Sequence, residues 1–459
     1  MKRYFTILSF FILTTLHGQD SSKNNYSLAF DVPLLDLPYW SDAGFSLKSY
    51  QSPSMNQALS VTHGLHATNY YFNNKLWERW IPPTGKKNKI WNRVAANASA
   101  GLIDLAFTYG VVVFSIQWMH EEFHRNGLTI RGISSYDETY NRLNGGYANG
   151  SVSRVRDEDL IRLKATYPQE LIRSFSAGIE SEFLLLRKLQ GDNFYQKAQY
   201  PNVLLNILLT KHAVDYVNQF KQPGFNSSID SMNFHGGKIS DRDFVGWDFS
   251  AWVYDLHRPD EPYAARGDHP YGPGIDRAIK STDLSADEYA YLEKMGRLQY
   301  LNFLSPFMIG INSIKINDQT SFNFAVRHYL TSFGYDLSTD LMIKHKGKPW
   351  LFSFHGYNNK DKFFPGLEVI HPPYLITIGK KELELLPSIM VWMQPEKQRF
   401  FDQKGKAGGA VSLRTAMPLG RSVRAFVNLS GKTAGWVAGD PYLTSNFGVR
   451  SGLSFVFKD

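Results

Sequence analysis

The sequence predicts an α+β protein, in which a helical part is followed by an antiparallel β-sheet. Two observations support this fold class. Between residues 90 and 316, long stretches repeat apolar residues at helical spacing. From 317 to 459, short segments alternate apolar and polar residues and are separated by Gly, Pro, Asn and Asp, which is typical of antiparallel strands. Residues 19–89 are predicted to be loop-rich, apart from one strand near Tyr26 to Val32.

Residues 1–18 have the features of a secretory signal. Lys2 and Arg3 supply positive charge, Tyr4 to Leu16 form an apolar stretch, and Gly18 offers a small residue before a cut at Gln19. The apolar stretch is short for a bilayer span, so cleavage is predicted rather than anchoring. The sequence therefore predicts an exported protein in the envelope of a Gram-negative bacterium, in the outer membrane or the periplasm.

Composition excludes several classes of function. The chain has no cysteine, so it has neither a thiol nucleophile nor a thiolate-bound zinc ion. Its net charge of +8 is spread along the chain without an arginine-rich tract or a nucleic-acid-binding module, so no nucleic-acid partner is predicted. Neither a Gly-rich phosphate loop nor a Gly-x-Ser-x-Gly elbow is present, which leaves nucleotide and serine-hydrolase functions without support.

Four helices are predicted within 90–316. The first runs from about Ile90 to Arg125, and its apolar stretch Gly101 to Met119 fits either a transmembrane helix or, as we favour, a helix buried inside the fold. The others start after Pro168 (to about Gln190, ended by Gly191), at Pro201 (to about Phe220), and at Ser285, where capping-box spacing precedes a run to about Phe303. Residues 225–283 form a long irregular stretch, of the kind that is more often functional than idle.

The first of these helices ends in His120-Glu121-Glu122-Phe123-His124. Residues four apart lie on one face of a helix, so His120 and His124 are placed to hold one metal ion. Glu121, next to the first histidine, is placed to take a proton from a water molecule at that ion. The motif therefore predicts a metal site, although the same residues at a helix end are also compatible with ordinary solvated contacts.

This segment resembles the HExxH zinc metallopeptidases. After His124 there is no third histidine at metzincin spacing, so the closer resemblance is to the gluzincins, whose third zinc ligand is a Glu on a later helix. The resemblance implies a Zn²⁺ cofactor, hydrolysis with Glu121 as general base, and a peptide or protein substrate.

Two glutamates on the second helix are candidates for the third ligand, Glu182 and Glu180. Glu182 falls on an apolar helix stripe, where an unpaired carboxylate is costly, and Gly178 one turn earlier would let the motif helix approach. Glu180 falls nearer Arg173, which would explain it as an ion pair. Glu182 is therefore favoured, and Glu180 is kept as the second choice or as a partner of a ligand histidine.

The C-terminal strands alternate cleanly, as in Phe447 to Phe457 and Val423 to Ser430. This alternation, ending on an aromatic residue, resembles the closing strands of outer-membrane β-barrels, and a soluble sheet with one dry face gives the same period. The β-domain is thus expected to be an antiparallel sheet, with a small β-barrel as one option, and the outer membrane is an expected partner.

Two functions are compatible with these observations. The first is an exported zinc-dependent metallohydrolase, by resemblance a peptidase. The second is a non-enzymatic outer-membrane β-barrel or barrel-associated protein, in which the HExxH match is structural or accidental.

Overall fold

The structure, a computed structural model, describes residues 27–39, 52–80, 113–144, 150–196, 202–379 and 381–457, with a few positions between 98 and 106. It confirms the α+β fold class, with helices followed by a large antiparallel sheet. The predicted signal peptide and most of the apolar stretch before Val113 lie outside the described residues. Within the described part, no helix combines the length and the apolar character needed to cross a membrane.

The helices follow the predicted order, with two corrections. The described α-helices are α1 (Met55–Trp80), α2 (Val113–Thr129), α3 (Asp157–Thr166), α4 (Pro168–Tyr195), α5 (Val203–Val217), α6 (Phe225–His235), α7 (Asp248–His257) and α8 (Ala286–Leu298). The loop-rich prediction for 19–89 is wrong over α1, whose many Asn, Tyr and His residues hide any apolar repeat. The stretch 225–283 contains α6 and α7 rather than being wholly irregular.

Helix ends agree with the capping residues in one case and depart from them in another. Ser285 caps α8, with its hydroxyl accepting from the backbone N–H of Glu288 at 3.3 Å and the Glu288 carboxylate accepting from the Ser285 N–H at 2.7 Å. Gly191, by contrast, does not end α4. The helix continues to Tyr195, since buried Phe194 and Asn193 hold its last turn against neighbouring residues.

One eleven-stranded antiparallel sheet forms the second half of the fold. Its strands are β1 (Leu28–Leu37), β4 (Ile314–Asn317), β5 (Thr320–Thr331), β6 (Gly334–His345), β7 (Lys348–Asn358), β8 (Phe363–Ile370), β9 (Tyr374–Ile378), β10 (Lys381–Pro395), β11 (Gly405–Pro418), β12 (Val423–Lys432) and β13 (Asn446–Phe457), and a separate small ribbon pairs β2 (Tyr136–Asp137) with β3 (Val152–Ser153). The spatial order is β1-β13-β12-β11-β10-β8-β7-β6-β5-β4, with β9 beside β10.

This sheet is open within the described residues, because β1 and β4 are its two edges and do not pair with each other. The closed-barrel option of the sequence is thereby corrected. Edge groups find other partners: the Gln57 side chain on α1 donates to the Pro33 carbonyl of β1, and Val326 of β5 donates to the Leu304 carbonyl. Helix and loop therefore cover the edges that barrel closure would otherwise remove.

Helix α4 is the centre of the molecule. Almost all of its length is buried, with α2 and α7 on one side and the inner face of the sheet on the other. Its apolar residues join one core with those of α2, α7 and the sheet, among them Phe175, Phe183, Phe123, Trp252 and Tyr329. The motif helix is thus fixed against a helix that the sheet itself holds in place.

Candidate metal centre

The motif helix α2 crosses α4 at unusually short range. A Cβ on Gly178 would lie 2.1 Å from Nε2 of His120, and one on Gly127 would lie 2.6 Å from Cβ of Ser174. Neither distance is compatible with a side chain, so the two glycines permit the contact. The expectation that Gly178 lets the motif helix approach is confirmed.

The two motif histidines are oriented through their Nδ1 atoms. His124 Nδ1 lies 2.6 Å from the backbone carbonyl of Ser174, and His120 Nδ1 lies 3.1 Å from the Glu182 carboxylate. A carbonyl and a carboxylate only accept, so both Nδ1 atoms carry the hydrogen. In the neutral rings the lone pair is therefore on Nε2, from which each ring could bind a metal ion.

Both Nε2 atoms face Asp248, the first residue of α7. Oδ2 of Asp248 lies 3.2 Å from Nε2 of His124 and 3.7 Å from Nε2 of His120. This same Oδ2 is buried and has no hydrogen-bond partner among the described residues. A buried carboxylate oxygen is costly in that state, and it is the kind of atom that a cation satisfies.

His120, His124 and Asp248 form a buried group that could hold a metal ion, with one ligand atom from each lying within 4.8 Å of the others. Ligand atoms about 2.0–2.1 Å from a tetrahedrally coordinated ion are themselves about 3.3 Å apart, which the two measured distances bracket. The donor set and its spacing thus fit a divalent ion.

Glu121 follows His120 in the chain and lies close enough to His120 and Asp248 to feel their charges. It is buried, and a Cβ on Gly150 would approach its Oε1 to 3.1 Å, so the backbone of Gly150 rests against the carboxylate. Burial raises the pKa of Glu121 well above its usual value. The charge of His120 opposes this rise, and the charge of Asp243 adds to it. The site thus holds a carboxyl group with high affinity for a proton next to the metal ligands.

Several carboxylates share this small volume. Burial and the neighbouring Asp248 raise the pKa of Asp243 to about 7. Burial would also raise the pKa of Asp248, but His124 and His120 outweigh it and hold the pKa below its usual range. Asp248 and Glu182 in turn outweigh burial and raise the pKa of His120 well above its usual value, so the carboxylates of the cluster attract positive charge, as a proton or as a bound cation.

Glu182 acts on the site through the histidines. It lies 3.0 Å from Nδ1 of His212 on α5 as well as 3.1 Å from His120, and these two rings, led by His212, outweigh burial to lower its pKa to about 2. Its carboxylate is on the Nδ1 side of His120, whereas Asp248 is on the Nε2 side. The sequence argument correctly found a costly buried carboxylate, but the geometry makes it an orienting partner and not the third member of the ligand group.

The remaining glutamate candidate and three further histidines have partners outside the ligand group. Glu180 forms a bidentate pair with Arg173, at 2.8 and 3.0 Å, which is the ion pair that its helix position indicates. The histidines of residues 225–283 have contacts of their own: His235 bonds its own helix, and His257 packs on Phe400. His269 accepts from the backbone of Tyr271.

Two residues near the site were not predicted to belong to it, Asp248 and Tyr216. The only sequence signal for Asp248 is a carboxylate opening the apolar run Asp248-Phe249-Ser250-Ala251-Trp252 within a long stretch already marked as functional. Tyr216 on α5 has its ring centroid 5.9 Å from that of His120. Burial, followed by the Asp248 charge, raises the pKa of Tyr216 well above 10, so its hydroxyl keeps its proton.

Comparison with known proteins adds no assignment: no family model, no curated protein and no solved structure matches the chain.

Proposed function

We propose that the chain is an exported zinc-dependent hydrolase, with peptides or proteins as its substrate class. The observation that carries the proposal is the convergence of His120, His124 and Asp248 beside Glu121. Two imidazoles and one carboxylate are a donor set that suits zinc. The peptide substrate follows from the resemblance of the motif to the HExxH peptidases.

The number of ligands supports catalysis over a purely structural ion. Structural zinc sites are closed by four protein ligands, whereas catalytic sites use three and leave one position open. The ligand group here has three members among the described residues. His212, whose side chain is 56% exposed, marks the side on which the site meets solvent.

Each residue then has a defined task. His120, His124 and Asp248 would hold the ion, while Glu182 and the Ser174 carbonyl keep the two Nδ1 atoms protonated and the rings in place. When bound, zinc would supply a Lewis acid that makes water a nucleophile near neutral pH. Glu121 would take the proton of that water on its carboxylate and pass it to the leaving amine.

Tyr216 would stabilise the negative charge that develops on the substrate. Its hydroxyl remains protonated to high pH and lies near the Asp248 carboxylate. A neutral O–H donor that is fixed before the reaction stabilises an oxyanion without costly reorganisation.

The test combines metal content with peptide cleavage on the purified full chain. Glu121→Gln should bind zinc at wild-type stoichiometry and cleave a peptide library about 100–10,000-fold more slowly, because only the general base is lost. Unchanged cleavage by this variant would make the ion structural. Glu158→Gln, on the exposed side of α3, is the matched control and should behave like wild type.

Ligand identity needs separate variants. Asp248→Ala and His120→Ala should lose zinc, whereas Glu182→Gln should keep it with about 10–100-fold lower affinity, as expected for an orienting partner. Wild-type zinc content in His120→Ala, or a greater loss in Glu182→Gln than in Asp248→Ala, would overturn the assignment.

A further inference from the structure

The outer face of the sheet is apolar across six neighbouring strands, β7, β8, β10, β11, β12 and β13. Antiparallel partners place their side chains on the same face, so the pairing identifies continuous rows. One row runs through Phe352, Val369, Ile389 and Val411. The next rows run through Phe354, Leu367 and Val391, and through Pro387, Leu413, Leu429 and Val449.

These side chains are turned to solvent rather than to protein. Val411 is 59% exposed, Ile389 and Val391 are each 50% exposed, and Phe447 is 65% exposed. The largest apolar patch on a typical soluble monomer covers a few hundred Å², and larger ones mark interaction surfaces. Rows that continue over β7 to β13 exceed what scattered surface residues would give.

The charged side chains of the same strands lie on the opposite face. Arg414, Asn428 and Arg450 are paired neighbours in one inner row, and Glu368, Ser353 and Asp340 are paired neighbours in another. On β10, the outward positions from Leu383 to Met393 carry Leu, Leu, Pro, Ile, Val and Met, while Glu382 and Glu384 alternate with them. In a protein surrounded by water, the outer face of a sheet carries the charged side chains and the inner face carries the apolar ones.

Those inner charges are used within the fold. Arg187 on α4 bonds Glu368 and Ser353, and Arg327 of β5 bonds Gln190 of α4. At the far end of the sheet, Arg173 of the same helix donates to the carbonyls of Val437 and Asp440, in the segment that joins β12 to β13. One helix therefore contacts both halves of the sheet, so the sheet curves around it and its outer face is convex.

From this arrangement we infer that the outer face of β7 to β13 contacts the hydrocarbon of a lipid bilayer. Fluid chains cover a convex apolar face evenly, whereas a rigid partner touches a convex surface over a limited area. The outward apolar run of β10 is as long as the about 9–11 residues that a tilted strand uses to cross hydrocarbon. The inference does not depend on the metal centre, since it rests on side chains of the opposite face of the sheet.

The absence of cysteine makes a direct test possible, because one introduced cysteine is the only labelling site. We would attach a nitroxide to Val411→Cys and Leu429→Cys on the outer face, with Phe234→Cys on exposed α6 as control. The full chain is reconstituted into phosphatidylcholine vesicles, and collision with oxygen is compared with collision with a water-soluble nickel chelate.

At 411 and 429 the oxygen-to-nickel ratio should exceed that at 234 several-fold, because oxygen concentrates in hydrocarbon and the chelate is excluded from it. Equal ratios at the three positions would overturn the inference. So would a protein that stays monomeric in buffer without detergent or vesicles, or one that forms a detergent-free dimer shielding 411 and 429, which would assign the face to a second copy of the chain.

A charge variant provides the second measurement. Val411→Asp should fold, by circular dichroism in detergent, but partition into vesicles markedly less than Val411→Leu. Ser231→Asp on α6 should leave partitioning unchanged. Equal partitioning of Val411→Asp and Val411→Leu would contradict a lipid-facing position for this residue.

Discussion

Two buried clusters of charge lie on opposite sides of α4, and they are built differently. Under the sheet, Asp340 contacts the guanidinium groups of Arg327 at 2.6 Å and Arg187 at 3.4 Å, and Ser353 at 2.6 Å. At the crossing with α2, Asp248 faces two histidines, and its Oδ2 has no hydrogen-bond partner among the described residues. The first cluster pairs its carboxylate with arginine side chains, while the second pairs its carboxylate with side chains that could also bind a metal ion.

The difference shows that the meaning of a buried carboxylate depends on the side chains that surround it. Arginine stays protonated at all relevant pH values, so an arginine–carboxylate cluster is permanently neutralised. Histidine gives up its proton readily and binds metals when it does. A buried carboxylate beside arginine is therefore explained by its ion pairs, whereas one that faces two histidines belongs to a group that could also hold a metal ion.

The largest effect is expected from a substitution that breaks the arginine cluster. Asp340→Ala should destabilise the fold by about 3–5 kcal/mol, because Arg327 would remain buried without its partner. The thermal unfolding midpoint, measured with and without chelator, should fall equally in both conditions. Asp318→Ala, at a fully exposed turn, is the control and should leave stability unchanged. A chelator-dependent loss in Asp340→Ala would show that the two clusters are coupled.

An intermediate effect concerns the close approach of the two helices. Gly178→Ala should push the His120 ring out of place, because the added Cβ falls 2.1 Å from Nε2, and should weaken zinc binding at least about tenfold. Gly191→Ala on the same helix meets nothing nearer than 3.9 Å and should stabilise the helix by about 0.5–1 kcal/mol. Zinc titration and thermal unfolding of both variants measure the contrast. Normal zinc affinity in Gly178→Ala would place the metal elsewhere.

The smallest effect is expected at His66, a buried histidine. Among the described residues, neither of its ring nitrogens has a hydrogen-bond partner. Burial, followed by the charge of His63, lowers the pKa of His66 to about 3. The unfolded chain binds a proton below about pH 6.5 and the folded chain does not, so stability falls as the pH drops from 6.5 toward 3. Between pH 6.5 and 5, His66→Leu should lose about 2 kcal/mol less stability than wild type.

Denaturant unfolding at the two pH values measures this difference, with His235→Leu, at an exposed position, as control. Parallel pH dependence of wild type and His66→Leu would mean that the His66 ring gains its proton in the folded protein.

Much of the metal centre could be predicted from local sequence, because a helix fixes the geometry of residues one turn apart. That is why His120 and His124, which the structure brings together with Asp248, could be predicted from spacing alone. The choice of Glu182 over Glu180 also succeeded in part, since the cost of burying a carboxylate identified the one that contacts a motif histidine. It could not identify which ring nitrogen that carboxylate would meet.

Asp248 was missed because it comes from a different helix, and no spacing relates it to the motif. The fold shows a similar limit. The alternation of apolar and polar residues predicted the antiparallel strands. It carries no information on whether the first and last strands of a sheet pair with each other. Helix α1 escaped prediction because its burial depends on partners such as β1 and α2 that only the folded chain provides.

The pairing of β1 with β13 has a consequence for how the molecule is made. Leu28 lies opposite Phe457, so this ladder joins segments from nearly opposite ends of the chain, and every residue of the metal centre lies between them. Contacts so distant in sequence form late, because the entropy of closing the intervening chain must be overcome first. An emerging chain would hold β1 unpaired throughout synthesis, and β13 would complete the sheet only after the helices that carry the candidate metal ligands had already been produced.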